Sequence, residues 1–167
     1  MAIVHNLRFP LMLFAAIGCG LIAGVFFAFS TFVMKALAQQ PSAQGIATMQ
    51  SINITAINPW FMVALFGTGV ACFFLAIASL SKWQQLGGAV YLLVGSLLYL
   101  VGTVGVTIAF NVPLNDALAI VKPDSPEGAN LWVKYLTNWT IWNHVRTIAA
   151  LAAAALLTIA LCNQTVQ

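Results

Sequence analysis

The gaps between the charges of this chain dictate what it can fold into. Arg8, Lys35, Lys82, Asp116, Lys122, Asp124, Glu127, Lys134 and Arg146 are its only charged side chains in 167 residues. The stretches between Arg8 and Lys35, Lys35 and Lys82, and Lys82 and Asp116 are strongly apolar, as is the carboxyl-terminal stretch from Arg146 on. A helix needs about 20 apolar residues to cross a hydrocarbon layer about 30 Å thick. A soluble domain carries roughly a quarter charged residues, because its surface must be hydrated. With 5% charged and 62% hydrophobic residues, most of this surface must face lipid. The pattern predicts an all-α, multi-pass integral membrane protein in a single transmembrane domain over 1–167, with spans at about 9–33, 60–80, 86–109 and 139–162.

Short connections between consecutive spans favour adjacent antiparallel helices, hence an antiparallel four-helix bundle. The connector Ser81–Gln85, with Lys82 and Trp83, is one such turn. Between spans one and two, Ser42 is placed to cap a short interfacial helix. Ile46, Met49, Ile52 and Ala56 share one face of it, and Gln44, Thr48, Ser51 and Thr55 the other. Asn58-Pro59 ends that helix, since the residue before proline avoids helical backbone angles. Asn111-Val112-Pro113-Leu114-Asn115-Asp116 is expected to break the third span. Ser125-Pro126 then opens a fourth helix, with serine as cap and proline at the first helical position. That helix is longer than a membrane requires, so its first part extends beyond the hydrocarbon.

Several classes of function lose support on the same grounds. The net charge of +3 is scattered, without the basic cluster of a nucleic-acid binder. Cys19, Cys72 and Cys162 lie in apolar runs without metal-ligand spacing, and are expected to be free thiols. No HxxH, ExxH or Cys/His cluster supports a bound metal, and no cofactor is indicated. The apolar run Leu11–Met34 exceeds the roughly 7–15 residues of a signal-peptide core, so a retained span is favoured over cleavage at Ala36-Leu37-Ala38. Gly20 and Gly24 form a GxxxG pair, a spacing that lets helices approach closely. Packing within the bundle is the favoured use, although the pair also permits a homo-oligomer.

Chemistry concentrates between Leu131 and Thr147. Trp132, Tyr135, Trp139, Trp142 and Arg146 recur at spacings of three and four and form one helical stripe, with Asn143 and His144 beside it. Interfacial belts explain part of this aromatic content, but not its combination with arginine and asparagine. From Thr147 to Cys162 only 16 residues remain, so the fourth span must take Arg146 inside the membrane boundary. A buried arginine needs a partner or must snorkel, and Asp116 is the candidate carboxylate. His5, the other histidine, is expected at the opposite membrane face from His144, which disfavours a bis-histidine haem.

The motifs Asn111-Val112-Pro113-Leu114-Asn115 and Trp139 with Trp142-Asn143-His144-Val145-Arg146-Thr147 resemble the anthrone oxygenase-like family (DUF1772). Gly24-Val25-Phe26-Phe27-Ala28-Phe29-Ser30 and Asn58-Pro59 are similar too. The resemblance implies a four-helix membrane protein, in which Asn111, Asn115, Trp139, Asn143 and Arg146 occupy the motif positions. It also implies oxidation of anthrone-like or other lipophilic aromatic molecules without an established cofactor. Such chemistry assigns catalytic roles to His144, Arg146 and Asp116, and substrate contacts to Asn111, Asn115, Trp139, Trp142 and Asn143. The competing reading is a non-enzymatic small-molecule carrier, or a structural protein whose polar cluster locks the bundle.

Overall fold

The computed structural model describes residues 2–81 and 88–164; the connector containing Lys82 and Trp83, and the side chain of His5, lie outside the described residues. Helix α1 comprises Ala2–Ala28, a π-helical turn Phe29–Val33 and Met34–Ala38. Helix α2 is Ser42–Thr55. Helix α3 is Pro59–Ser81 and α4 is Ala89–Ala119, each containing π-helical turns. Helix α5 is Pro126–Gln164, 39 residues and about 58 Å at 1.5 Å per residue. Among the described residues, four helices are long and apolar enough to cross a membrane: α1, α3, α4 and α5. The protein is a multi-pass integral membrane protein.

The helices pack in the cyclic order α1, α3, α4, α5, with α5 closing back onto α1. Leu37 lies near Trp132 through Gly45, whereas Phe26 and Ser30 meet Asn143 and Thr147, so α1 and α5 run antiparallel. Small residues set the close approaches. A Cβ on Gly102 would come within 2.6 Å of Ala149, so the glycine lets α4 touch α5. A Cβ on Gly18 would collide with the Thr68 hydroxyl, so α1 and α3 meet there. Gly20 and Gly24 have nothing within 4 Å of such a Cβ. The GxxxG pair therefore faces outward and does not pack the bundle; the buried small residues of α1 are Ala15, Ala16, Gly18 and Ala23.

Helix ends follow the local chemistry in most places. The Asn58 side chain accepts the Phe61 N–H at 3.0 Å and Pro59 opens α3. The Ser125 hydroxyl accepts the Gly128 N–H at 3.0 Å ahead of Pro126. On α2, Ile46 and Met49 are buried while Gln44, Thr48, Ser51 and Thr55 are exposed. Ser42, however, is the first helical residue, and the cap position is Pro41 without a side-chain bond.

The expected break at Asn111–Asp116 does not occur, because α4 continues to Ala119. Proline removes one backbone donor and crowds the preceding turn. Here the π-helical turn Thr107–Asn111 precedes it, and Pro113 falls in the first turn of the following α-helical segment.

Two apolar clusters form the interior. One, within the spans, is built around Met12, Cys19, Ile22, Leu75, Leu92, Tyr99, Ala153 and Leu157. The other joins Met34, Leu37, Ile46, Met49, Leu118, Trp132, Tyr135 and Trp139 beneath α2. Between them in sequence, on both α1 and α5, fall buried polar residues: Ser30, Asn143, Arg146 and Thr147. Cys19 and Cys72 are buried and Cys162 is exposed, and no disulfide joins them.

Candidate functional site at the polar layer

The stripe on α5 forms the back of the site. Spacings of three and four turn Trp132, Tyr135, Trp139 and Arg146 inward, and all four are buried. Consecutive rings of the first three stack at 5.5 and 6.1 Å between centroids. Burial of the two tryptophans removes the interfacial-belt explanation for them. Trp142 leaves the stripe and stacks on Phe110 of α4 at 3.6 Å and 11°.

Asn115 holds the upper part in place. Its Oδ1 accepts both the Tyr135 hydroxyl and the Trp139 Nε1–H, each at 2.8 Å. Asn111 donates through Nδ2 to the Trp139 carbonyl at 3.1 Å, while its buried Oδ1 has no partner among the described residues. The two motif asparagines of α4 thus fix the Trp139 backbone and side chain.

Asn143 is the centre of the polar layer. Its Nδ2 donates to the Phe26 carbonyl at 2.7 Å and to Ser30 Oγ at 2.8 Å. Its Oδ1 accepts from Arg146 Nη2 at 2.7 Å. Thr147 lies 3.1 Å from Ser30 Oγ and donates to the Asn143 carbonyl. Every polar atom of the Asn143 side chain is used, as complete burial demands.

Arg146 is 4% exposed. Besides Asn143, its Nη1 donates to Thr107 Oγ1 at 3.3 Å. The guanidinium carbon lies 4.1 Å from the centre of the Phe26 ring and 5.0 Å from that of Trp139. Its Nε–H has no partner among the described residues. The expected pairing with Asp116 is absent: among the described residues no carboxylate reaches Arg146. The reason is local, since Asn143 sits three residues earlier on the same helical face and supplies the acceptor, while Asp116 is exposed. Lys35, Lys122, Asp124, Glu127 and Lys134 are exposed as well.

In front of Arg146 lies a cavity of about 700 Å³, walled by all five helices. Helix α1 contributes Phe26 and Phe29, and α2 Met49, Gln50 and residues 52–55. Helix α3 adds Phe61, Leu65 and Phe66; α4 adds Thr107, Asn115 and Asp116; α5 adds Trp139 and Arg146. Its size suits a small organic ligand, and aromatic walls with a few placed polar groups are usual for such sites.

Of the residues expected at the site, Asn115, Asp116, Trp139 and Arg146 line this cavity. Asn111 and Asn143 are buried behind its wall and hold it. Trp142 packs on Phe110, outside the lining, and His144 is exposed on the outer side of α5.

A model of the anthrone oxygenase family matches residues 58–156. The chain belongs to the anthrone oxygenase family. No curated protein and no solved structure matches it. The matched segment starts at the Asn58 cap and contains α3, α4 and most of α5, hence the Asn111, Asn115, Trp139, Asn143 and Arg146 positions. Phe26, Phe29 and Gln50, which complete the cavity, come from α1 and α2, before that segment.

Sequence reasoning assigned no role to Phe26, Gln50 or Thr107. The signal for Thr107 was present: Thr103, Thr107 and Asn111 follow one another at intervals of four in an apolar span. For Phe26 and Gln50 no intrahelical signal exists, because their importance lies in what faces them from another helix.

Proposed function

We propose that the protein is a membrane oxygenase that takes lipophilic aromatic molecules of the anthrone type into the cavity in front of Arg146. The observation that carries this reading is a buried guanidinium on the wall of a mostly apolar cavity whose lining includes four phenylalanines and Trp139. An anthrone has an acidic benzylic C–H across the central ring from its carbonyl, and loss of that proton gives the conjugated enolate. The enolate passes one electron to dioxygen, and the radical pair combines to a peroxide at the benzylic carbon. Elimination of water from the protonated peroxide leaves the second carbonyl, so one dioxygen is consumed and one water released per anthrone.

The residues divide this work. Phe26, Phe29 and Trp139 are the aromatic lining against which a flat polycycle packs. Arg146, with Thr107 beside it, offers donors to the enolate oxygen. The proton leaves toward the part of the wall that carries exposed Asp116. Purified protein in detergent should accelerate oxygen uptake by 1,8-dihydroxyanthrone over protein-free micelles. Arg146→Gln should lose about 100-fold in kcat, the scale of one oxyanion donor. A folded Arg146→Gln protein with undiminished oxygen uptake would overturn the assignment.

The bundle-locking alternative has support at one residue, Asn143. Its bonds join α1 to α5 and it is absent from the cavity lining. Locking therefore belongs to Asn143, and ligand contact to Arg146.

A further inference from the structure

Arg146 is held by neutral groups throughout. Its donors meet an amide oxygen and a threonine hydroxyl, its guanidinium carbon lies over two aromatic rings, and its Nε–H has no partner among the described residues. Thr107 Oγ1 is itself committed, donating to the Thr103 carbonyl at 2.7 Å. Arginine stays protonated in proteins, and a buried charge without a counter-ion is costly. The groups facing this charge leave it uncompensated. Helix α1 presents Phe26 and Ser30, and α5 presents Tyr135 and Asn143, all formally neutral. The cavity-lining residues of α2 and α3 carry no charge, and α4 contributes Asp116, exposed and unpaired with Arg146.

We propose that the cavity binds its ligand as a lipophilic aromatic anion, an ionised phenol or enol whose oxygen pairs with Arg146, so that the site itself drives ionisation. This rests on the oxygenase reading for the choice of an aromatic ligand and goes beyond it in naming the charge state of the bound molecule. The O–H or C–H bond breaks heterolytically, the electron pair stays on the ligand, and the proton passes to bulk water through the open side of the cavity. A dedicated protein base is then unnecessary, which accounts for His144 standing outside the cavity wall. Arg146 becomes a binding group in the ground state as well as in the reaction.

A redox-stable probe separates this from turnover. The probe is 1,8-dihydroxyanthraquinone, which changes colour when its phenol ionises and has no benzylic C–H to oxidise. Its absorbance is titrated against pH in micelles with and without the protein. Wild type should lower the apparent pKa of the bound probe by about one unit or more relative to protein-free micelles, the effect expected of a close opposite charge. Arg146→Gln should abolish the shift and Arg146→Lys should retain part of it. A probe that fails to bind wild type, binds with its pKa unchanged or raised, or keeps the full shift on Arg146→Gln overturns the proposal. The wild-type titration decides even where the glutamine variant does not fold. Oxygen uptake from an anthrone without a probe shift would sink this inference and leave the oxygenase reading standing. A shift without oxygen uptake would do the reverse.

Discussion

At the scale of single residues, Asn143 and Arg146 sit three positions apart and have opposite consequences. Asn143 has all its hydrogen-bonding capacity matched across two helices. Replacing it by alanine removes a donor from the Phe26 carbonyl and from Ser30 Oγ and takes away the Arg146 acceptor, all of them buried. Loss of one such partner costs about 1–3 kcal/mol, so Asn143→Ala should melt well below wild type in detergent, read by circular dichroism. Asn111→Ala removes a single 3.1 Å bond from a side chain whose Oδ1 is already unpaired. It should cost less, about 1 kcal/mol. Equal melting points for the two variants would contradict this ranking.

At the scale of helices, the glycines divide by what they face. Gly102 lies against Ala149, where an added methyl must push α4 and α5 apart. Gly102→Ala should therefore destabilise by about 1–3 kcal/mol, the usual cost of overpacking. Gly24→Ala adds its methyl in open space and should shift stability by less than about 0.5 kcal/mol. Thermal melts of the two variants test the assignment of inner and outer faces on α1 and α4. Helix α2 is attached differently. Gln50 Nε2 donates to the Leu118 and Val121 carbonyls at 2.8 and 3.0 Å, tying α2 to the end of α4. Gln50→Ala should raise amide hydrogen exchange across 42–55 while leaving α5 protected, because only the α2 attachment is cut.

For the molecule as a whole, the polar layer and the cavity exist because five helices meet there. Filling the cavity tests that it is the ligand site. Ala56 lines it and is half-buried, so Ala56→Trp should occupy part of the space without removing any hydrogen bond. Hydroxyanthraquinone binding should weaken at least about tenfold, ~1.4 kcal/mol, with the melting temperature preserved. Unchanged affinity in a folded Ala56→Trp protein would place the ligand elsewhere. Large apolar residues close to this mouth are exposed, among them Ile54, Ile57 and Trp60 at 73, 76 and 88%. Such a surface is at home against lipid.

The sequence by itself determined the features that depend on one helix at a time. Charge-free runs set four spans, intervals of three and four set the inner face of α5 and the two faces of α2, and Ser125-Pro126 set where α5 begins. The length of the last apolar run also put Arg146 within the fourth long apolar helix. Tertiary structure decided everything that depends on which helix faces which. It turned Gly20 and Gly24 outward, carried α4 through Pro113 on a π-helical turn, and gave Arg146 an amide, a hydroxyl and two rings in place of Asp116. It also put Trp142 against Phe110 and His144 outside the cavity wall. Helical periodicity fixes the direction of a side chain relative to its own axis, whereas a partner is fixed by the rotation and depth of the neighbouring helix. Those are set by packing, and no single stretch of this chain encodes them.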